Sequence, residues 1–121
     1  MKRLGELERA VMDILWDSAE ALTVRQVGVL LSNRDLAHTT VMTVLDRLSK
    51  KGFARRQRDG RAWLYQAAAD REAYVTALML HALDQTGDRS AALASFARRV
   101  SDSEADVLRR ALESLGESPR A

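Results

Sequence analysis

No cysteine occurs among the 121 residues, which excludes disulfides, a zinc ribbon and thiol redox chemistry and permits a reducing compartment. No apolar run approaches the roughly 18 residues of a membrane span, so no membrane insertion is expected. The opening MKRLGELERAV is too charged for the apolar region of a signal peptide, and a cytoplasmic location is expected. A glycine-rich phosphate loop is missing as well. The two histidines, His38 and His81, lie far apart and neither has a partner at metal-ligand spacing. No metal, cofactor or catalytic group is therefore nominated, and the chain is not read as an enzyme.

The formal net charge is only +2, but it is unevenly placed. Residues 1–36 hold five basic and six acidic side chains, residues 37–66 seven and two, and residues 67–121 seven and nine. Positive charge confined to one short segment favours a polyanion footprint over general solubility. Arginine outnumbers lysine sixteen to three, so a single arginine says little by itself.

That basic segment is TTVMTVLDRLSKKGFARRQRDGRAWLY, from Thr39 to Tyr65. Val41, Val44, Leu45 and Leu48 follow the i, i+3, i+4, i+7 spacing of a buried helical stripe. Thr40, Thr43 and Arg47 fall on another face, with Thr39, Met42 and Lys50 beside them. Short hydroxyls and long cations on one outer face suit a DNA groove. Gly52 can end this helix in the left-handed conformation. Phe53 to Arg58 and Arg61 to Ala67 then read as two strands around Asp59-Gly60, a strong hairpin signal. Phe53, Trp63 and Tyr65 alternate with polar residues, as on a ribbon with one face against a core. Arg55, Arg56, Arg58 and Arg61 crowd the tip. Aromatics among arginines also fit base stacking on single strands, a minority reading beside packing.

Upstream, Leu4, Leu7, Val11, Ile14 and Leu15 mark a first helix over about Leu4–Asp17, closed by a packing Trp16. Leu22 begins a short extended segment suited to pairing with the hairpin. Thr23 and Gln26 form a capping box ahead of a second helix that buries Val27, Leu30 and Leu31. Ser32 to Asp35 stops it, leaving the spacing of a helix-turn-helix. Residues 1–68 thus read as a winged helix-turn-helix with a two- to three-stranded wing. Residues 69–121 read as three amphipathic helices, with breaks at Thr86-Gly87-Asp88 and a second capping box at Ser101 and Glu104, ending at Gly116 and Pro119. Their apolar sides cannot close a core alone. Packing against a second copy, through Tyr74, Leu78, Leu93, Phe96, Leu108 and Leu112, is the expectation; folding back onto the first domain is the competing reading. The fold class is mainly α.

The segment T-V-x-T-x-L-x-R-L-x-K-K-G-F, with LGELERAVMDILW before it, resembles the penicillinase repressor (BlaI/MecI) family over nearly the whole chain. The resemblance implies a homodimeric winged-helix repressor of palindromic operator DNA controlling β-lactamase or related resistance genes. It implies base-facing positions for Thr40, Met42 and Thr43, and backbone contacts for Arg47, Lys50, Arg58 and Arg61. A membrane sensor-protease responding to β-lactam is a further implied partner, and the matching cleavage position is Ser95-Phe96. Phe96 reads equally well as a dimer-core aromatic. Copper-responsive relatives carry a cysteine-rich tail, which is absent here. The rival from another class is a winged-helix protein-interaction module whose arginine-rich wing grips an acidic partner.

Overall fold

The structure is a computed structural model that describes residues 3–117. Pro119 lies outside them, and Gly116, expected to end the ordered chain, sits inside the last turn of a helix. The elements run α1 (Glu6–Asp17), β1 (Leu22–Thr23), α2 (Val24–Leu30), a 3-10 turn (Ser32–Arg34), α3 (His38–Lys50), β2 (Ala54–Asp59), β3 (Ala62–Ala67), α4 (Arg71–Leu83), α5 (Arg89–Arg99) and α6 (Asp102–Glu117). Packing divides them into two compact units, Met1–Met79 and Leu80–Ala121.

In the first unit, three helices pack on a three-stranded antiparallel sheet of order β1-β3-β2. Leu22 pairs with Tyr65 and Thr23 with Leu64, so the short extended segment does close the hairpin into a sheet. The Thr23 hydroxyl accepts the Gln26 N–H at 3.1 Å, while the Gln26 side chain accepts the Thr23 N–H at 2.8 Å. These bonds satisfy the donors that open α2. Asp35, at φ 50°, turns the chain out of the 3-10 segment toward α3. The core consists of Val11, Met12 and Leu15 from α1, Val27 and Leu31 around α2, Val41, Val44, Leu45 and Leu48 from α3, and Ala54 and Tyr65 from the sheet. Of the stripe expected for α2, Val27 and Leu31 are buried, whereas Leu30 is exposed.

Tyr74, expected at an interface between copies, packs within the first unit. Its ring centroid lies 5.7 Å from both Trp16 and Phe53, the latter edge-on, and its hydroxyl accepts the Leu4 N–H at 3.1 Å. At 9% exposure it belongs to the core of the first unit. Its hydroxyl finds a donor near the N-terminus and its ring finds two aromatic neighbours, which helical spacing within α4 could not reveal. Trp16 is half-buried, and its indole N–H donates to the Ala69 carbonyl at 3.0 Å.

In the second unit, Asp88 caps α5 through the Ala91 N–H at 3.0 Å. Ser101 and Glu104 cap α6 reciprocally at 3.2 and 2.9 Å. That expected box also holds the Glu104 carboxyl below its ordinary value, chiefly through the Ser101 N–H. No described residue of α5 or α6 is buried.

One buried charge ties α1 to the end of α3. Glu8, only 7% exposed, accepts the Gly5 N–H at 2.9 Å and the Lys51 ammonium at 3.1 and 2.9 Å. Burial pushes its carboxyl up. The Gly5 N–H, Lys51 and the field of Arg47 outweigh that and hold it below the ordinary 4.5. A carboxyl so depressed stabilises the fold fully above its unfolded pKa, and the stabilisation disappears as pH falls through the lower folded value. Glu8→Gln should cost about 1–3 kcal/mol at neutral pH and flatten the acid limb of the stability curve. Urea unfolding at a series of pH values checks both; an unchanged limb would mean that Glu8 does not carry the linkage.

Candidate nucleic-acid interface

Burying Val41, Val44, Leu45 and Leu48 fixes the rotation of α3 about its axis. Thr39, Met42, Thr43, Arg47 and Lys50 are consequently exposed, and Thr40 is half-buried. Thr39, Thr40, Thr43 and Arg47 line a shallow hollow of about 300 Å³, whose remaining wall is Val44 and, from α1, Leu7. The Thr43 hydroxyl donates to the Thr39 carbonyl at 2.9 Å, one turn back. Its proton is thereby committed, leaving lone pairs and a methyl group outward. In that state Thr43 can accept from a base amino group or touch a thymine methyl, but does not donate.

The cations divide into two groups. Lys51 points inward to Glu8. Lys50 pairs with Asp46 one turn back at 3.0 Å, and Arg56 from β2 approaches the other oxygen of the same carboxylate at 3.5 Å. Arg47, Arg55, Arg58 and Arg61 form no ion pair with a carboxylate among the described residues and are all exposed. Of the residues nominated from the sequence, α3 supplies Thr39, Thr40, Met42, Thr43, Arg47 and Lys50, while Arg58 and Arg61 stand at the end of the hairpin. Asp46 and Arg56, which join the helix to the wing, escaped that nomination. So did the polar side of Trp63. The alternation that placed Trp63 against the core is correct for one edge of the ring, but the Arg56 and Arg58 guanidinium carbons lie 4.3 and 4.8 Å from its centroid.

The hairpin turn is one residue later than Asp59-Gly60 suggested. Asp59 pairs with Ala62, so the loop is Gly60-Arg61. Gly60 has φ 63° and Arg61 does not share the positive φ, the backbone of a type II′ turn with glycine first. This geometry places Arg61 at the tip, beyond the sheet.

In the tail, Leu93 and Phe96 on α5, and Leu108 and Leu112 on α6, are exposed, as are Val107 and Leu115. Leu78 is half-buried. Ser95 and Phe96 lie well inside the α5 helix, Ser95 half-buried and Phe96 41% exposed. Among the described residues, no group of three His, Asp or Glu side chains could hold a metal ion, and no helix is long and apolar enough to cross a membrane.

The penicillinase repressor family model matches residues 4–114. The transcriptional regulator BlaI of Mycobacterium tuberculosis is 54% identical over 119 residues, covering 95% of this chain and 86% of that protein. Among solved structures, the DNA-binding domain of the repressor BlaI superposes with a TM-score of 0.52 at 28% identity, covering 61% of this chain and 94% of that domain. Streptococcus pneumoniae FabT, solved in complex with DNA, shares the fold with a TM-score of 0.50 at 20% identity, over 96% of this chain and 76% of its own.

Gly60→Val should destabilise the first unit by about 1–2 kcal/mol, since a β-branched residue resists positive φ; Gly60→Asn should cost less. Thermal unfolding of the two variants decides: equal losses would argue against the turn conformation described.

Proposed function

The chain belongs to the penicillinase repressor family, and from that premise we propose that it acts as a homodimer on a palindromic operator, repressing β-lactamase or related antibiotic-resistance genes. It is a transcriptional repressor of winged-helix fold, not an enzyme. In the proposed complex, α3 enters the major groove and the wing lies beside the sugar-phosphate backbone. The observation that carries this reading is the sorting of polar groups on one surface. Thr39, Met42 and Thr43 of α3 face outward with Thr40 half-buried beside them, flanked by Arg47, Arg58 and Arg61, none of which forms an ion pair with a carboxylate among the described residues.

The roles divide by chemistry. Thr40, Met42 and Thr43 would read base edges, Thr43 as acceptor and methyl donor of contact, with good contacts contributing about 1–3 kcal/mol of discrimination. Arg47, Lys50, Arg58 and Arg61 would neutralise phosphates, raising affinity for any duplex. Residues 1–68 supply this surface, and the helices of residues 69–121 would join two copies. Support for the second part comes from the tail, where Leu93, Phe96, Leu108 and Leu112 are between 41% and 67% exposed. So much exposed leucine in so short a segment matches the core of an interface between copies.

Joining two half-site readers raises effective concentration and multiplies affinity by about 10² to 10⁴. Cleavage at Ser95-Phe96 by a membrane sensor-protease would sever α6, with its four exposed apolar residues, from the DNA-binding part and release the operator. Because that bond is helical, α5 would have to open locally before a protease could bind it in extended form.

Two measurements test the proposal. Gel shifts over a range of salt should show that Arg58→Ala and Arg61→Ala each weaken binding to operator and random duplex alike and lower the salt slope by about one, whereas Thr43→Val should change preference among operator sequences. If wild type retards no duplex even at low salt, the protein-interaction module replaces this reading. For the dimer, Leu108→Glu combined with Leu112→Glu should sediment as a monomer with operator affinity about 10² to 10⁴ lower. A double variant that stays dimeric would remove α6 from the interface.

A further inference from the structure

Register places Arg58 directly opposite Trp63 and Arg56 opposite Tyr65, so Arg56, Arg58 and Trp63 share one face of the hairpin. Both guanidinium carbons lie within cation–π range of the indole, at 4.3 and 4.8 Å. The partners of the two arginines differ at their N–H edges. Arg56 directs one nitrogen toward the Asp46 carboxylate of α3 at 3.5 Å, and Asp46 is held in turn by Lys50 at 3.0 Å. Arg58 has no carboxylate partner among the described residues.

A guanidinium stacks through its flat face, while its five hydrogen-bond donors lie in its plane. Stacking on an indole therefore orders the side chain without consuming the donors that bind a phosphate; a carboxylate partner consumes them. We infer that Trp63 is a positioning residue for the DNA interface, holding Arg58 ready for a phosphate while Arg56 and Asp46 tether the wing to the recognition helix. The inference rests on the DNA-binding reading above. An arginine on a hairpin tip otherwise loses most of its rotamer freedom when it meets DNA, and prior ordering by the ring removes part of that loss. Trp63 in this role carries no sequence information, because the group it presents meets the backbone. Asp46 brings a negative charge close to the groove-reading face. Lys50 and Arg56 neutralise it there, which accounts for an acid in the middle of a basic helix.

The test is a double-substitution cycle on the full-length chain, with binding to operator and random duplex measured at fixed salt. Trp63→Leu should weaken both by a similar factor, about 5- to 20-fold. Trp63→Phe, keeping a weaker ring, should fall between. In an Arg58→Ala background, Trp63→Leu and Trp63→Phe should cost less than about twofold, because the side chain that the ring positions is gone. A merely structural tryptophan would cost the same in both backgrounds, and that result overturns the inference, as would wild-type affinity in Trp63→Leu. Should Trp63→Leu fail to give a cooperative urea transition, the Trp63→Phe comparison across the two backgrounds carries the same decision. Wild type that binds no duplex would instead sink the DNA-binding reading, and this inference with it.

Discussion

Everything at the candidate interface depends on how α3 is held. Val41, Val44, Leu45 and Leu48 are each at most 5% exposed, and burying side chains of this kind contributes about 1.5–3 kcal/mol apiece. Successive residues of a helix are 100° apart, so rotating α3 by one position would keep Leu45 in the core but replace Val41, Val44 and Leu48 there with Met42, Asp46 and Ser49. The cost of burying Asp46 alone would be prohibitive. Apolar packing therefore decides which polar groups of α3 face outward. The same core secures α1 and β3, so the hairpin that carries Arg58 and Arg61 is referred to the frame that fixes Thr39 and Thr43.

Electrostatics then sorts the basic side chains that packing has left near the surface. Glu8 draws Lys51 inward, where the pair joins the start of α1 to the end of α3. Asp46 holds Lys50 and Arg56 together across the space between helix and wing. Within α3 and the wing, Arg47, Arg55, Arg58 and Arg61 form no ion pair with a carboxylate among the described residues, and all four are exposed. A polyanion meets cations already free of carboxylates there, so little internal pairing has to be broken on binding. Trp63 gives two of the wing arginines a partner that competes with no phosphate.

The tail follows a different logic. Its helices are capped correctly at Asp88 and Ser101, so local structure is satisfied. Yet α5 and α6 bury no described residue, and their leucines and Phe96 remain open. Capping stabilises the ends of a helix but does not cover an apolar face, and short helices draw most of their stability from such cover. A second copy is the cover proposed here, and the coupling of dimerisation to operator affinity follows from it.

Local rules made much of this legible in advance. Periodicity located the stripe of α3, the capping boxes at Thr23 and Ser101 and the glycine of the hairpin, because each is decided by residues within four positions of one another. The same rules assigned Thr40, Thr43 and Arg47, with Thr39, Met42 and Lys50 beside them, to one outward face, where all but the half-buried Thr40 are exposed. Tertiary structure alone decided what distant neighbours settle. The partner of Lys51 could not be read from its neighbours in the chain, because Glu8, which draws it inward, lies 43 residues away. Tyr74 looked like any apolar position of a tail helix until the Leu4 N–H, 70 residues away, and the rings of Trp16 and Phe53 claimed it. Helical spacing says which side chains share a face, but what covers that face is set by chain segments that only folding brings together.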